Sequence, residues 1–311
     1  MAETNTALDI LESARAKMAK LHTETVNGMI LMKFQGADIK SVVDKIGALE
    51  INSDDVILDG YQRSGNHWTY EILRLILDEK AKVGDSTYFE SCLDFMSTET
   101  LEKVVPTLPS PRLLTSHYWP EYLPRQATEK RARFIFLFRN PKDAWVSWYR
   151  LTSSYKNENL GFFGSWDEFF ELQMAGEFLW SSYFDFVLKT EAFIAAHPEL
   201  PVHLLQYEEL KAEPVRVIRE LCRFLGRDES VAEAIEEATR FDSMKSVLKQ
   251  GKVGQLEKAI LKENTDVVLY KGTSGGWKDY FSPSQNERFH RCFKEKLAGS
   301  KLGEMLGKNL G

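Results

Sequence analysis

The feature that most constrains the fold is a short apolar run that ends in a charged residue and leads directly into a helix. Residues 134–138 are all apolar, and Arg139 follows them. Asn140 and Pro141 then form a helix start, because asparagine caps helices and proline suits their first turn. Comparable strand-like runs lie at residues 56–58, 113–114 and 202–205. Short apolar strands that alternate with helices predict a parallel sheet covered on both faces.

The chain of 311 residues, 43% of them hydrophobic, is long enough to bury a large core. We predict an α/β fold in a single domain spanning residues 1–311, with a central, mainly parallel sheet flanked by helices. Residues 1–37 are predicted to be a helical extension packed on that domain. Apolar residues at helical spacing predict a first helix that ends near Gly28.

Composition argues against nucleic-acid binding, a membrane span and a zinc or disulfide site. The formal net charge of −6 makes the chain a poor nucleic-acid binder, so any bound anion needs a local pocket of positive charge. Apolar runs are broken before the ~18 residues of a membrane span, and no secretory signal is recognisable. Cys92, Cys222 and Cys292 are far apart, odd in number and not at metal-ligand spacing, so the sequence supports neither a disulfide framework nor a zinc site. These features predict a cytoplasmic protein with no metal and no nucleic-acid or membrane partner.

The loop after the first core strand has the composition of a phosphate-binding loop. Residues 61–68 read Tyr-Gln-Arg-Ser-Gly-Asn-His-Trp. Gly65 permits close backbone approach, Arg63 supplies charge, and a helix N-terminus directs N–H groups at an anion. The Walker A pattern of P-loop proteins is absent. The alternative is an ordinary turn in which Ser64 or Asn66 caps the helix.

Two further strand ends carry polar residues of interest. Ligands of such sheets bind at the carboxyl ends of the strands. Arg139, together with Ser147 two helical turns after Asn140, could hold a second phosphate, whereas Arg139 could instead pair with an acidic neighbour. His117 follows residues 113–114 and could act as a general base, whereas a lone histidine is more often structural.

A Gly-rich, basic loop lies near the C-terminus. Residues 271–278 read Lys-Gly-Thr-Ser-Gly-Gly-Trp-Lys, with a lysine at each end. Such a loop could close over an anionic ligand. A plain surface turn is the alternative, and a Gly-rich loop alone favours that alternative.

Together, three of these segments resemble the cytosolic sulfotransferase family. YQRSGNHW is similar to the family's 5′-phosphosulfate loop YPKSGTTW, and FLFRNPKDAWVSWY to its 3′-phosphate motif RNPKDxxVSxY. YKGTSGGWKDYF is similar to the closing motif RKGxxGDWKNxF. The family transfers a sulfuryl group from 3′-phosphoadenosine 5′-phosphosulfate (PAPS) and releases 3′-phosphoadenosine 5′-phosphate (PAP). The resemblance runs from about Asp38 to Leu297.

The resemblance implies roles for individual residues. His117 corresponds to the catalytic base, and Arg63 to the residue that assists the leaving group. Arg139 and Ser147 correspond to the 3′-phosphate ligands, and Trp68 to the aromatic residue that stacks on adenine. The other implied nucleotide contacts are Ser64, Gly65, Asn66, His67, Tyr207, Thr239, Phe241, Met244, Tyr270, Lys271 and Gly272.

The sequence departs from the family pattern at charged positions. Arg63 replaces a lysine, and Asn66 with His67 replaces two threonines. Thr115 and Tyr270 stand where the family often has a lysine and an arginine. Loss of a charge-assisted hydrogen bond costs ~1.5–3 kcal/mol, so these departures predict weaker PAPS binding unless another residue compensates.

The implied reaction is in-line transfer to a hydroxyl or amine of a small acceptor, with His117 as general base and no metal. Aromatic residues predict an apolar or aromatic acceptor, although they could equally belong to the core; they are Tyr88, Phe89, Tyr149, Phe162 and Phe163. One alternative is a catalytically weak or silent protein that binds PAP or PAPS. A P-loop small-molecule kinase is a weaker alternative, because residues 60–68 lack its lysine and magnesium ligand.

Residues 278–287 resemble the family's KxxxTVxxxE dimer motif. This resemblance implies a homodimer through that region. Ser282 and Pro283 stand in place of threonine and valine, and the proline removes a donor that such a contact could use.

Overall fold

The computed structural model describes residues 2–33, 38–263 and 274–311. The chain forms two compact units. One, here called the sheet unit, comprises Lys40–Arg139 and Ala192–Glu257. The other, here called the helical unit, comprises Met1–Ile39, Asn140–Glu191 and Lys258–Gly311. The single-domain organisation over residues 1–311 stays a prediction.

One or more helices separate consecutive strands from the second to the sixth, and the described residues after the sixth strand form helices without a further strand. The strands are β1 (Thr23–Val26), β2 (Met29–Met32), β3 (Val56–Gly60), β4 (Leu113–Ser116), β5 (Arg133–Phe138) and β6 (Val202–Gln206). The first helices are α1 (Ala2–Met18), α2 (Ile39–Gly47), α3 (Asn66–Leu77), α4 (Tyr88–Ser91), α5 (Thr98–Lys103), α6 (Arg125–Glu129), α7 (Pro141–Ser153) and α8 (Trp166–Ala175). The later helices are α9 (Tyr183–Ala196), α10 (Tyr207–Ala212), α11 (Pro214–Leu225), α12 (Ala232–Ala238), α13 (Phe241–Gln250), α14 (Lys252–Ile260), α15 (Pro283–Lys296) and α16 (Lys301–Gly307).

The sheet unit is built on a four-stranded parallel sheet with strand order β4-β3-β5-β6. Its strands are the four apolar runs of the sequence, and the predicted α/β fold with a central parallel sheet is confirmed. The register pairs Asp59 with Ser116, Gly60 with Leu137, and Phe138 with Gln206. The carboxyl ends of the four strands therefore lie side by side along one edge of the sheet.

Helices cover both faces of this sheet. On one face, Leu58 and Leu137 belong to a core that includes Leu73 of α3 and Leu221 of α11. On the other face, the rings of Phe134 and Phe136 lie 5.3 and 5.9 Å from the ring of Phe193 in α9. Burial on both faces explains why β3 and β5 are apolar without alternation, whereas β6, at the edge of the sheet, leaves Leu204 40% exposed.

A buried ion pair ties β3 to β4 at the amino ends of these strands. Arg112 Nε lies 3.0 and 3.1 Å from the two carboxylate oxygens of Asp55, and Nη2 also donates to this carboxylate. The same guanidinium donates to the carbonyl oxygens of Val105 and Glu50 at 3.3 and 2.8 Å. The pair is 4% and 0% exposed, so neither charge can rely on water.

The helical unit begins differently from the prediction. Helix α1 ends at Met18, and an antiparallel hairpin of β1 and β2 follows it. The prediction of a helix ending near Gly28 is therefore wrong. Asn27 and Gly28 have φ values of 48° and 90°, the left-handed conformation that a two-residue hairpin turn requires. This turn chemistry outweighs the helical spacing of the preceding apolar residues.

Helix α7 begins as the sequence predicts. The Asn140 side chain accepts a hydrogen bond from the Lys142 backbone, and Pro141 occupies the first turn. Asp143 in that turn accepts hydrogen bonds from the backbone N–H groups of Gly275 and Trp277 at 2.7 and 3.0 Å. The helix start therefore anchors the C-terminal part of the predicted closing loop.

The predicted dimer region contains the start of α15. Ser282 caps this helix in a reciprocal pair with Gln285, and Pro283 occupies the first turn. Proline suits that position because its missing N–H would have no partner within the helix. The structure thus gives Ser282 and Pro283 a local role, and the homodimer through residues 278–287 stays a prediction. Among the described residues, no helix has the combination of length and apolar character that a membrane span needs.

Candidate active site

The loop between β3 and α3 adopts a conformation that few residues tolerate. Arg63 and Gly65 have φ values of 66° and 106°, both in the left-handed region. A Cβ atom at position 65 would lie 2.5 Å from Cδ2 of Tyr207, which is closer than atoms can approach. Glycine is therefore required here for its backbone and for the packing of Tyr207.

The backbone N–H groups at the start of α3 and the Ser64 hydroxyl are hydrogen-bond donors of this loop. No side chain of the described residues caps the N-terminus of α3, whose first-turn N–H groups have no acceptor within the helix. The hydroxyl of Ser64 is fully buried and has no hydrogen-bond partner in the part of the chain that the structure describes. Asn66 Nδ2 donates to the carbonyl of Tyr61 at 3.1 Å and holds the loop closed. The positive end of a helix, with buried donors beside it, is suited to a phosphate group.

Arg139 and Tyr207, which follow β5 and β6, pack against this loop. Arg139 Nη1 donates to the carbonyl of Arg63 at 2.8 Å, and its guanidinium carbon lies 4.5 Å above the ring of Tyr207. The rings of Trp68 and Tyr207 meet edge to face at 5.8 Å. Four predicted nucleotide contacts, Gly65, Trp68, Arg139 and Tyr207, are thus neighbours at the carboxyl edge of the sheet.

His117, which follows β4 at the same edge, has a defined orientation. Its Nδ1 lies 2.6 Å from the carbonyl oxygen of Gly60, which can only accept, so Nδ1 carries the proton. The Asp94 carboxylate accepts from the His117 backbone N–H at 2.9 Å and from the Ser116 hydroxyl at 2.8 Å. In the neutral ring, Nε2 therefore holds the lone pair, and the Tyr88 hydroxyl at 2.8 Å donates to it.

Both histidines of the site are neutral at physiological pH. Burial lowers the pKa of His117 to about 4; the hydrogen bond to Gly60 opposes this change, and the charge of Arg63 adds to it. Burial, with the charges of Arg63 and His117, lowers the pKa of His67 to about 3. His117 therefore offers an unprotonated Nε2, as a general base requires.

Comparison with known proteins identifies the family. Residues 53–301 match the family model of the sulfotransferase domain. Human sulfotransferase 1C2 is 30% identical over 267 residues, which cover 83% of this chain and 88% of that protein. Mouse sulfotransferase 6B1 is 30% identical over 98% of this chain and 97% of that protein. The chain belongs to the sulfotransferase family.

A solved structure supports the same assignment. Mouse sulfotransferase SULT7A1 complexed with PAP is 27% identical to this sulfotransferase and superposes with a TM-score of 0.75, covering 92% of this chain and 98% of that chain. The predicted family, the α/β fold and the enzyme class of PAPS-dependent sulfotransferases are confirmed. The acceptor, the mechanism and the roles of single residues stay predictions.

Other predicted site residues of this sulfotransferase occupy several elements. In the sheet unit, Thr239 follows α12, and α13 carries Phe241 and the buried Met244. In the helical unit, Ser147 and Tyr149 lie on α7. Tyr270, Lys271 and Gly272 fall outside the described residues, so the predictions made for them have no structural account.

The predicted acceptor residues divide into two groups. Tyr88 and Phe89 lie beside His117 in the sheet unit, since the Tyr88 ring is 5.7 Å from the imidazole and 6.0 Å from the Phe89 ring. In the helical unit, Phe162 is fully buried against Phe169 and Phe178. Phe163 is 42% exposed, with the Lys262 ammonium 4.4 Å from its ring.

Sequence analysis missed Asp94 and the contact between Tyr88 and His117. Asp94 lies 23 residues before His117 in a segment with no motif, so no local signal could have found it. Ligand atoms of Cys92, Asp94 and His117 lie within 4.8 Å of one another, a spacing that could hold a metal ion. Each already has a protein partner, because Asp94 binds Ser116, while Tyr88 contacts both Cys92 and His117. We therefore interpret this group as a hydrogen-bonded cluster that orients His117.

Proposed function

We propose that this enzyme transfers the sulfuryl group of PAPS to the hydroxyl of a small aromatic or apolar acceptor, with His117 as general base. One observation carries the proposal. His117 Nδ1 binds the carbonyl of Gly60, the residue at which β3 ends and the phosphate loop begins. The base is thereby fixed beside the loop suited to the donor's phosphates.

Separate groups would hold the two phosphates of PAPS. The N–H groups at the start of α3, with Arg63 and Ser64, are suited to the 5′-phosphosulfate. In the sheet unit, Arg139, held against Arg63 and Tyr207, is the proposed 3′-phosphate ligand. For Ser147, this role stays a prediction from the family resemblance. The Trp68 indole offers a flat face for adenine. Two positive side chains beside a helix N-terminus suit a ligand with several negative charges.

The proposed step is an in-line displacement at sulfur. The acceptor oxygen forms a bond to sulfur while the bond between sulfur and the bridging phosphate oxygen breaks. Nε2 of His117 takes the acceptor proton, and the electron pair of the broken bond leaves on PAP. Arg63 and the loop N–H groups stabilise the charge that grows on the departing phosphate. The protein supplies all the positive charge that this proposal needs.

The surroundings of His117 favour a flat acceptor. The Phe95 ring lies 6.3 Å from the imidazole, and the Phe89 ring lies 5.5 Å from Phe95. Aromatic rings of this kind bind planar apolar molecules through offset or edge contacts. The proposed acceptor is therefore a phenol or another planar apolar alcohol.

Binding of PAP compared with ADP tests the nucleotide assignment without a known acceptor. Both ligands carry two phosphates on adenosine, but only PAP has a 3′-phosphate. We expect calorimetry to show a preference for PAP of roughly ten-fold or more, the size expected from one or two charge-assisted hydrogen bonds. Arg139→Gln should remove most of this preference. Arg133→Gln, at the amino end of the same strand, is the control and should retain it.

Equal affinity for PAP and ADP, or a preference for ADP, would overturn the 3′-phosphate assignment and favour the kinase alternative. A preference for PAP without turnover of any phenol would favour the silent nucleotide-binding alternative.

The protonation of His117 can be measured directly. Because burial lowers its pKa to about 4, the ring should stay neutral at pH values where an ordinary histidine, with a pKa of about 6.5, is already half protonated. In NMR titrations of the nucleotide-free protein, the ring signals of His117 should stay constant from about pH 7.5 to about pH 5.5. The variant His117→Ala assigns the signals. A midpoint near that of free histidine would show that the base is solvated rather than buried.

A further inference from the structure

The nitrogen that the proposed mechanism needs is already occupied. Nδ1 of His117 donates to Gly60, so Nε2 provides the ring's single lone pair. The Tyr88 hydroxyl donates to that lone pair at 2.8 Å in a buried contact. An acceptor hydroxyl must form the same hydrogen bond before its proton can be removed. Tyr88 and the acceptor therefore compete for one atom.

Several contacts hold Tyr88 in this position. Its side chain is 2% exposed, and its ring packs 4.5 Å from His67 of the phosphate loop and 5.9 Å from Tyr70. Tyr88 begins α4, a single turn closed by reciprocal hydrogen bonds between Thr87 and Glu90. The carboxylate of Glu90 in turn pairs with Lys252 at 2.7 Å. The position of the hydroxyl is therefore built into the sheet unit.

We propose that Tyr88 is a specificity-determining residue that reserves Nε2 of His117 for acceptors whose hydroxyl is at least as good a hydrogen-bond donor as its own. The inference rests on the proposed function, because it takes His117 as the base that the acceptor must reach. It deepens that function by assigning the acceptor class: phenols are preferred to aliphatic alcohols of the same size and shape.

Acidity decides the competition. Burial raises the pKa of the Tyr88 hydroxyl well above its usual value, so the group stays neutral and keeps the proton that it donates to Nε2. An acceptor phenol carries the same donor group as tyrosine, with a usual pKa of about 10, so it can replace Tyr88 on Nε2 without loss of hydrogen-bond strength. An aliphatic alcohol is far less acidic, so the same exchange replaces a stronger hydrogen bond with a weaker one. After displacement, the Tyr88 oxygen still has the Cys92 thiol 3.6 Å away.

The test compares Tyr88→Phe with Tyr70→Phe. Phenylalanine keeps the ring at position 88 and removes only the hydroxyl. Tyr70→Phe is the matched control, because its hydroxyl belongs to the same cluster but binds Ser86 and Ser91 rather than His117. The acceptor probes are 4-methylphenol and benzyl alcohol, isomers that differ in the acidity of the hydroxyl. PAPS is held at saturation.

We expect wild type to prefer 4-methylphenol in kcat/KM. In Tyr88→Phe that preference should fall roughly five-fold, the size of one exchanged neutral hydrogen bond, mainly through a lower KM for benzyl alcohol. Tyr70→Phe should leave the preference unchanged. Calorimetric binding of each probe to the PAP complex gives a second reading that does not depend on turnover.

Two results would overturn the inference. An unchanged preference in both kcat/KM and binding would show that the hydroxyl of Tyr88 does not compete. A loss of kcat with both probes in Tyr88→Phe, with PAP binding intact, would show that Tyr88 transfers the proton instead. If wild type binds PAP no better than ADP and turns over neither probe, the proposed function itself fails, a result separate from these two.

Discussion

Replacing His117 with alanine is expected to reduce kcat by roughly 10²- to 10⁴-fold, the usual contribution of a positioned general base. PAP affinity should stay near the wild-type value, because the proposed phosphate ligands are the loop N–H groups, Arg63, Ser64 and Arg139. Steady-state rates with a phenol acceptor and calorimetry with PAP measure the two quantities. This separation distinguishes a base from a nucleotide ligand.

A second histidine variant controls for general damage. His197, near the end of α9, lies before β6 and thus at the opposite end of that strand from Tyr207, so His197→Ala should retain activity. A His117→Ala enzyme that turned over at a near wild-type rate would contradict the assignment of the base. An equal loss of PAP affinity and of rate would show that His117 supports the loop through Gly60 rather than acting on the acceptor.

Replacing Arg112 with alanine is expected to destabilise the protein by about 3–5 kcal/mol. The carboxylate of Asp55 is fully buried, and removal of the guanidinium would leave its charge without compensation. The carbonyl groups of Val105 and Glu50 would lose a donor as well. Urea unfolding followed by circular dichroism measures the change in the free energy of unfolding.

An exposed ion pair provides the comparison. Lys103 and Glu99 pair at 2.9 Å on the surface of α5, so Lys103→Ala should change the free energy of unfolding by less than about 0.5 kcal/mol. If Arg112→Ala does not fold, the double variant Asp55→Asn with Arg112→Met removes both charges together and should recover much of the lost stability. A single variant as stable as wild type would show that water reaches Asp55.

The parts of the fold that the sequence predicted correctly have local causes. Strands β3 and β5 are apolar because both of their faces are covered, and Asn140 with Pro141 gives a helix start that needs no distant partner. Residues directly after such strands gather at one edge by geometry alone. This explains why His117, Arg139 and the loop around Gly65 could be proposed as one site.

The parts that the sequence did not predict depend on distant contacts or on competing local signals. The pair Asn27-Gly28 is typical of a two-residue hairpin turn. The helical spacing of the apolar residues up to Leu21 nevertheless favoured a helix that continues to Gly28. The roles of Asp94 and Tyr88 appear only when the chain has brought them to His117. The structure also gives local roles to Asn66 and His67, which replace the two threonines of the family loop. Asn66 donates a hydrogen bond to the carbonyl of Tyr61, and the ring of His67 packs against Tyr88.

The boundary between the two units falls between Arg139 and Asn140, inside the motif on which the family resemblance is strongest. Arg139 donates to the carbonyl of Arg63 in the phosphate loop. Asn140 instead donates to the carbonyl of Asn309 at 2.8 Å, and Asp143 accepts from the backbone N–H groups of residues 275 and 277. Neighbouring residues of this motif therefore have different roles: Arg139 contacts the phosphate loop, whereas Asn140 and Asp143 hold C-terminal segments. A protein that no longer bound the nucleotide would still need Asn140 and Asp143 to hold its C-terminal segments. Within this motif, Asn140 and Asp143 thus have a role in folding, whereas Arg139 and Ser147 are the residues for which contact with the nucleotide is predicted.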